Sequence, residues 1–109
     1  MEHAIELMHR LGISPSYQGY RQALAALERV RQEEDWLRCM MHLYADVGDQ
    51  FDSTEKAIEK NIQTICQKAW QTNPKLLEQE MGYPIFNRPK NSDFLSMLLR
   101  YIEKKERNA

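Results

Sequence analysis

Hydrophobic residues recur every three or four positions along most of this chain, the spacing that places side chains on one face of an α-helix. The clearest example is residues 52–73, DSTEKAIEKNIQTICQKAWQTN. At about 100° per residue, the apolar side chains of this segment share one stripe. They are Ile58, Ile62, Ile65, Cys66 and Ala69. The opposite face carries long polar side chains, so the segment is predicted to be an amphipathic helix.

A second amphipathic segment comes directly before this helix. Residues 35–51 carry Trp36, Leu43 and Val47 at helical spacing. Asp52 or Ser53 is expected to cap the helix that follows, because their oxygens can accept from amides of its first turn. Two helices, at about 35–51 and 54–72, are therefore predicted to form a helix-turn-helix.

The rest of the chain predicts further helices. Residues 2–11 form a short one that Gly12 ends, and residues 20–31 form another for which Ser16 is the candidate cap. Asn73 and Pro74 are typical of a helix start. That helix is expected to end at Gly82.

Residues 83–91, YPIFNRPKN, contain two prolines and predict an ordered loop held by its apolar side chains. These are Tyr83, Ile85 and Phe86. Asn91 or Ser92 is then expected to cap a last helix. Since no segment alternates with the period of a strand, the predicted fold is an all-α, compact bundle of about six helices.

Length and charge limit the possible functions. With 109 residues the chain is expected to form a single domain, residues 1–109, and 15 basic residues nearly balance 16 acidic ones. The balance is uneven along the chain. Residues 1–51 carry five arginines against eight acidic residues, a net charge of −3, whereas residues 52–109 have a net charge of +2. An anionic partner is therefore expected to contact the second half.

Cysteine usage and hydropathy indicate the compartment. Cys39 and Cys66 lie on or beside apolar helix faces and outside any CxxC motif, so both are expected to be free core thiols. No apolar run approaches the roughly 18 residues needed to cross a bilayer, and no signal sequence is recognisable. We expect a cytoplasmic, nucleoid-associated protein without a membrane partner.

Catalytic motifs are missing from the sequence. His3, His9 and His42 lie on different predicted helices, and there is no HExxH motif or glycine-rich phosphate loop. We therefore expect no enzyme activity, catalytic residue, metal or cofactor. Four methionines could line a peptide-binding groove, but at helical spacing among leucines they are interpreted as core. They are Met40, Met41, Met81 and Met97.

The polar face of residues 54–72 is either a solvated surface or a DNA-reading surface. In a helix-turn-helix the second helix enters the major groove, where Lys pairs with guanine, Gln with adenine and Glu with cytosine. Glu59, Lys60 and Gln63 are the candidate base contacts. Further polar residues are candidates for the DNA backbone. They are Ser53, Thr54, Lys56, Thr64, Gln67, Lys68, Arg88 and Lys90, with the terminal Lys104 and Lys105.

Four blocks of the chain resemble one known family in order and spacing. They are LGISPSYQGY, LYADVGDQF, FDSTEKAIEKNIQTICQKAW and GYPIFNRPKNSDF. The chain is similar in them to the C-terminal DNA-binding effector domain of the stage 0 sporulation protein A family. The resemblance implies a six-helix transcriptional regulator that binds double-stranded promoter DNA, often as a tandem homodimer, under control of a phosphorylated receiver domain.

The chain departs from that family's pattern at several positions. Ala57 and Gln63 stand where the family usually has Arg, Lys60 replaces Arg, and Ala45 replaces a proline. Because Lys cannot reproduce the bidentate fork of Arg, these changes affect the expected target sequence more than the fold. The chain shows no receiver domain, so it is expected to be an excised domain or a stand-alone relative. The alternative is a degenerate effector domain acting through protein contacts, for instance with RNA polymerase.

Overall fold

The computed structural model describes residues 1–109 and confirms the predicted all-α bundle. It contains six α-helices and one short 3₁₀ helix, with no strand. The α-helices are α1 (Glu2–Arg10), α2 (Gln18–Gln32), α3 (Met40–Phe51), α4 (Glu55–Thr72), α5 (Pro74–Met81) and α6 (Asn91–Arg107). The 3₁₀ helix spans Glu34–Arg38. No helix is long and apolar enough to cross a membrane.

Helix α4 lies at the centre of the bundle and packs against α2, α3, α5 and α6. Its five predicted core residues are all buried with no exposed surface, as the periodicity indicated. The largest neighbours in this core include Leu27, Leu43 and Phe94, which come from α2, α3 and α6 respectively. Burial of a single stripe leaves the opposite face of α4 open to solvent.

The predicted helix 35–51 is broken in the structure. Glu34–Arg38 forms the 3₁₀ helix, and Cys39 has a non-helical backbone with φ −136° and ψ 62° before α3 begins at Met40. Ion pairing of Glu34 with Arg100 of α6 holds the 3₁₀ helix against the last helix. Trp36 packs against the core from the same segment.

Three predicted caps are wrong, because the backbone turns elsewhere than expected. Helix α2 has Tyr17 at its cap position and no side-chain cap, so Ser16 has no such role. Thr54 caps α4 through its hydroxyl, which accepts from Ala57 N at 3.1 Å, in place of Asp52 or Ser53. Lys90 precedes α6, so neither Asn91 nor Ser92 caps that helix.

Helix α5 follows the prediction at both ends. The Asn73 side chain accepts from Leu76 N at 3.3 Å, and Pro74 is the first helical residue. Gly82 ends the helix in the left-handed conformation, with φ 87°.

The loop between α5 and α6 follows the prediction at Ile85, which is half-buried and packs against the core, but not at the two aromatic rings. Phe86 is 84% exposed and Tyr83 53% exposed, so these two aromatic rings do not anchor it. Its anchors are Pro89, which is buried, and the amide of Ile85, which donates to Glu78 Oε2 at 2.9 Å. The Ile85 side chain, a hydrogen bond and a proline therefore order a loop whose large rings remain in solvent.

Candidate nucleic-acid interface

Helices α3 and α4 are joined by a three-residue turn, Asp52–Thr54, which is consistent with the predicted helix-turn-helix. Asp52 adopts the left-handed conformation, with φ 53° and ψ 48°, and the amide of Ser53 donates to Gly48 O at 2.8 Å. A Cβ added at Gly48 would lie 2.8 Å from Ser53 O. Glycine at position 48 therefore allows the turn to fold back tightly onto α3.

The outer face of α4 is polar, and its most exposed side chains are four positions apart in the sequence. Lys56, Lys60 and Thr64 are exposed along it. Glu59 and Gln63, the other candidate base contacts, are only half-buried, so their side chains lie at one edge of this face. The structure therefore brings the three candidate base contacts onto one surface, with Lys60 the most prominent.

Two threonine hydroxyls among the backbone candidates already have partners. The Thr54 hydroxyl accepts from Ala57 N, which leaves its own proton free to donate to a phosphate oxygen. The Thr64 hydroxyl donates to Lys60 O at 3.1 Å, so it has only acceptor capacity left. Thr54 is thus better suited than Thr64 to contact a phosphate.

One side of α4 is joined to the start of α6 by a buried polar cluster. The Asn91 amide donates to the Tyr44 hydroxyl at 3.0 Å and to Glu59 O at 3.1 Å. The Cys66 thiol in turn donates to Asn91 Oδ1 at 3.5 Å. Asn91, expected from sequence to be a cap, instead fixes the end of the α5–α6 loop beside the first half of α4. Arg88 and Lys90 are exposed on that loop end.

The other side of α4 is crossed by α2 at close range. A Cβ added at Gly19 would lie 2.2 Å from Asn61 O, so only glycine permits this approach. Beside the crossing, Asn61 Nδ2 donates to Gln22 Oε1 at 3.0 Å. Since Glu59 and Asn61 are about 200° apart around the helix, α2 and the loop end flank opposite sides of the outer face.

Cations divide into two groups according to whether an acidic partner is near. Every cation in an ion pair belongs to α2, the 3₁₀ helix or α6. They are Arg29, Arg31, Arg38, Arg100 and Lys104. The three lysines of α4 have no such partner, and neither do Arg88 and Lys90 on the loop. All five cations of α4 and the loop are therefore unpaired, and the remaining cations without an ion pair are Arg10, Arg21, Lys75, Lys105 and Arg107.

Lys104 and Lys105, the terminal phosphate candidates, lie in a different setting. Lys104 Nζ is 3.4 Å from Glu80 Oε1, and its ammonium also lies 5.7 Å from the centre of the Tyr101 ring. Lys105 lies 5.4 Å from the centre of the same ring. Both ammonium groups are engaged within the fold.

Titratable groups in this region are held neutral by burial. Burial raises the pKa of the Cys66 thiol to about 12, and burial also raises the pKa of the Tyr44 hydroxyl above its usual value. Both cysteines are free, Cys66 buried and Cys39 half-buried. No three His, Cys, Asp or Glu side chains come together as metal ligands.

Comparison with known protein families identifies a match, whereas comparison with curated proteins does not. No curated protein matches the chain closely enough to count as a relative. The family model described as Sporulation initiation factor Spo0A C terminal matches residues 4–102, nearly the whole chain. That family is a DNA-binding regulatory domain and not a known enzyme family. The chain therefore belongs to the Spo0A C-terminal family of DNA-binding effector domains.

Proposed function

We propose that the protein is a sequence-specific DNA-binding transcriptional regulator of the sporulation-regulator type, with α4 as the helix that enters the major groove. One observation carries the proposal. The outer face of α4 is open, and none of the five cations on α4 and the α5–α6 loop has an acidic partner, whereas five of the ten cations elsewhere are used in ion pairs.

The dimensions of α4 suit this role. With 18 residues it is about 27 Å long. A helix with its side chains is about 10–12 Å across, and the major groove is about 12 Å wide. Its N-terminal half bears the exposed Lys56 and Lys60 and follows directly on the tight turn. That half can therefore enter the groove while the buried stripe stays in the core.

Three side chains are proposed to read bases. Lys60 is the most exposed of the three and would donate to guanine O6 or N7. The Gln63 amide would pair with adenine N6 and N7, and the Glu59 carboxylate would accept from cytosine N4. Each good pair of this kind is worth about 1–3 kcal/mol of discrimination.

The remaining polar candidates are proposed to position the duplex through its phosphates. Lys56, Lys68, Arg88 and Lys90 supply charge, and none has an acidic partner to give up. Thr54 can donate from its free hydroxyl proton. Ser53 and Gln67 complete the set with neutral donors, whereas Thr64 would have to break its bond to Lys60 O.

The proposal is tested by selection of preferred sites from a random duplex pool, with wild-type protein and with Gln63→Arg. Wild type is expected to enrich adenine, and Gln63→Arg to enrich guanine, at one base pair. Lys60→Ala should lose enrichment at a neighbouring position. Arg38→Ala is the matched control, because Arg38 is exposed but lies on the 3₁₀ helix and pairs with Asp35 at 3.6 Å. If wild type and Gln63→Arg enrich the same base everywhere, Gln63 does not read DNA.

A second candidate function is action through protein contacts, for instance with RNA polymerase. The exposed rings of Phe86 and Tyr83 on the α5–α6 loop favour it, because large apolar side chains in solvent are typical of protein-binding surfaces. A folded protein that enriches no sequence in the selection would make this the better account.

A further inference from the structure

A polar groove of about 550 Å³ runs along the α2 side of α4. One wall is formed by residues 15–18 and the first turns of α2, and the other by Ala57, Lys60 and Asn61 of α4. Phe51 at the end of α3 and the turn residues Asp52 and Ser53 also line it. The short side chain of Ala57 leaves the α4 wall low, so the groove is open towards the outer face.

Arg21 is the principal side chain in this groove. It is exposed, forms no ion pair and makes no hydrogen bond within the protein. Its guanidinium carbon lies 5.9 Å from the centre of the Phe51 ring, within the range of a cation–π contact. Because the guanidinium makes no hydrogen bond within the protein, its N–H groups are free, and their geometry matches two oxygens of a phosphate.

Three charged side chains face the groove, and their sum is positive. Arg21 and Lys60 contribute two positive charges, and Asp52 contributes one negative charge from the turn. Helix α2 begins beside this groove and has no side-chain cap, so the amides of Gln18 and Gly19 have no side-chain acceptor. A net charge of +1 is suited to a group with a single negative charge, such as a phosphodiester.

The position of the groove relative to α4 matches the position of a DNA strand. A helix in the major groove has a phosphate strand on each side. Arg88 and Lys90 lie on the loop side, and the groove with Arg21 lies on the opposite side. Without Arg21, the α2 side would offer Lys68 alone as a cation beside the outer face.

We propose that this groove is a phosphate-binding site and that Arg21 is its main ligand, holding a backbone phosphate of the strand on the α2 side. That the phosphate belongs to a DNA strand rests on the proposed function, because a free phosphate ion could bind the same groups. Asp52 opposes binding, because its carboxylate faces the same space.

The test measures duplex binding by fluorescence anisotropy across a range of salt concentrations, and amide shifts on titration with inorganic phosphate. The variants are Arg21→Ala, Arg31→Ala and Asp52→Asn. Arg31 is the matched control, since it lies on the same helix about 15 Å away and pairs with Glu106 at 3.0 Å. Asn tolerates the left-handed backbone of residue 52, so Asp52→Asn removes charge without strain.

Arg21→Ala is expected to weaken binding to every duplex by about three- to tenfold and to reduce the salt slope by about one. Arg31→Ala should match wild type, and Asp52→Asn should bind about twofold tighter. Duplex binding by Arg21→Ala equal to wild type, or no tighter binding by Asp52→Asn, overturns the proposal. If wild type binds no duplex, the proposed function fails. The phosphate titration then decides whether the groove binds phosphate. Shifts in residues 17–22 that Arg21→Ala abolishes then support a free phosphate ion as ligand, and no shift overturns the site.

Discussion

Ile62 and Lys56 belong to the same helix but lie in opposite environments. Ile62 is fully buried among side chains of neighbouring helices, whereas Lys56 is exposed and has no acidic partner. In a small domain the net stability is only about 5–15 kcal/mol. Substitutions at the two positions therefore compare the loss of unfolding free energy in the core with that at the surface of the same helix.

Ile62→Ala is expected to lower the free energy of unfolding by about 2–5 kcal/mol, because it removes buried methyl groups and leaves a cavity. Lys56→Ala should change the same quantity by less than about 0.5 kcal/mol. Urea unfolding of both variants beside wild type measures the difference. Equal midpoints would mean that the two faces of α4 are assigned wrongly.

A second prediction at this scale concerns pH. The ordinary pKa of a thiol is 9.0, and burial raises that of Cys66 to about 12 in the fold. Above pH 9 the unfolded chain therefore loses a proton that the folded chain keeps, so stability should fall as pH rises, by about 1.4 kcal/mol per pH unit at most. Urea unfolding at pH 8, 9 and 10 tests this, and Cys66→Ala should show a shallower decline. An identical decline in that variant would assign the effect to other groups, such as Tyr44.

Contacts between helices explain which sequence predictions held. Apolar periodicity located every α-helix, because a helix that buries one face has apolar residues at every third or fourth position. Caps were mostly missed, because several polar residues near a helix end can serve and the path of the chain decides among them. At the start of α6, Asn91 is drawn into a buried cluster with Tyr44 and Glu59 O. A sequence shows the amide but not these distant partners.

The Asn91 cluster leads to a prediction about helix coupling. Asn91→Ala leaves Glu59 O and the Tyr44 hydroxyl without this donor, so it should cost about 1–3 kcal/mol of unfolding free energy. Tyr44→Phe should cost about 1 kcal/mol, and the double variant less than the sum of the two. Strict additivity would show that the two side chains do not interact. Thermal or urea unfolding of wild type, the two single variants and the double variant measures these free energies.

Because α2 and α4 cross closely, Gly19→Ala is expected to destabilise the protein, whereas Gly→Ala within a helix usually stabilises it. Replacing glycine within a helix by Ala normally stabilises it by about 0.5–1 kcal/mol. At Gly19 the added Cβ would lie 2.2 Å from Asn61 O, and moving the backbone should cost about 1–3 kcal/mol. Gly82→Ala is the control, because a Cβ there meets nothing within 4 Å and only its positive φ is unfavourable. If Gly19→Ala raised the free energy of unfolding, α2 and α4 would be able to move apart without loss of stability.

At the scale of the whole molecule, the distribution of charge matters more than its sum. Net charge is −1, yet the unpaired cations around α4 form one surface. The sequence indicated the lysines of this surface and the loop cations Arg88 and Lys90. It did not indicate Arg21, which lies 39 positions before Lys60 in the chain and joins it only through the packing of α2 on α4.

Few cations on this surface imply a modest dependence of DNA affinity on salt. With about four to six phosphates neutralised per domain, the slope of log K against log salt should be about −3 to −5. Anisotropy measured on a single-site duplex between about 50 and 200 mM salt gives the slope. A second adjacent site should bind more tightly than the first, as tandem binding in the family implies. A much steeper slope on one site would mean that further cations, such as Lys75 and Arg107, also contact DNA.

The separation of free from paired cations also affects how the protein approaches its partner. Positive charge gathered on one surface of a molecule with no net positive charge creates an electric dipole moment. Near a polyanion, that moment turns the molecule during diffusion so that α4 leads, and association becomes faster than random orientation allows. Because counter-ions screen this torque beyond about 10 Å at 0.1 M salt, added salt should slow association more than it speeds dissociation.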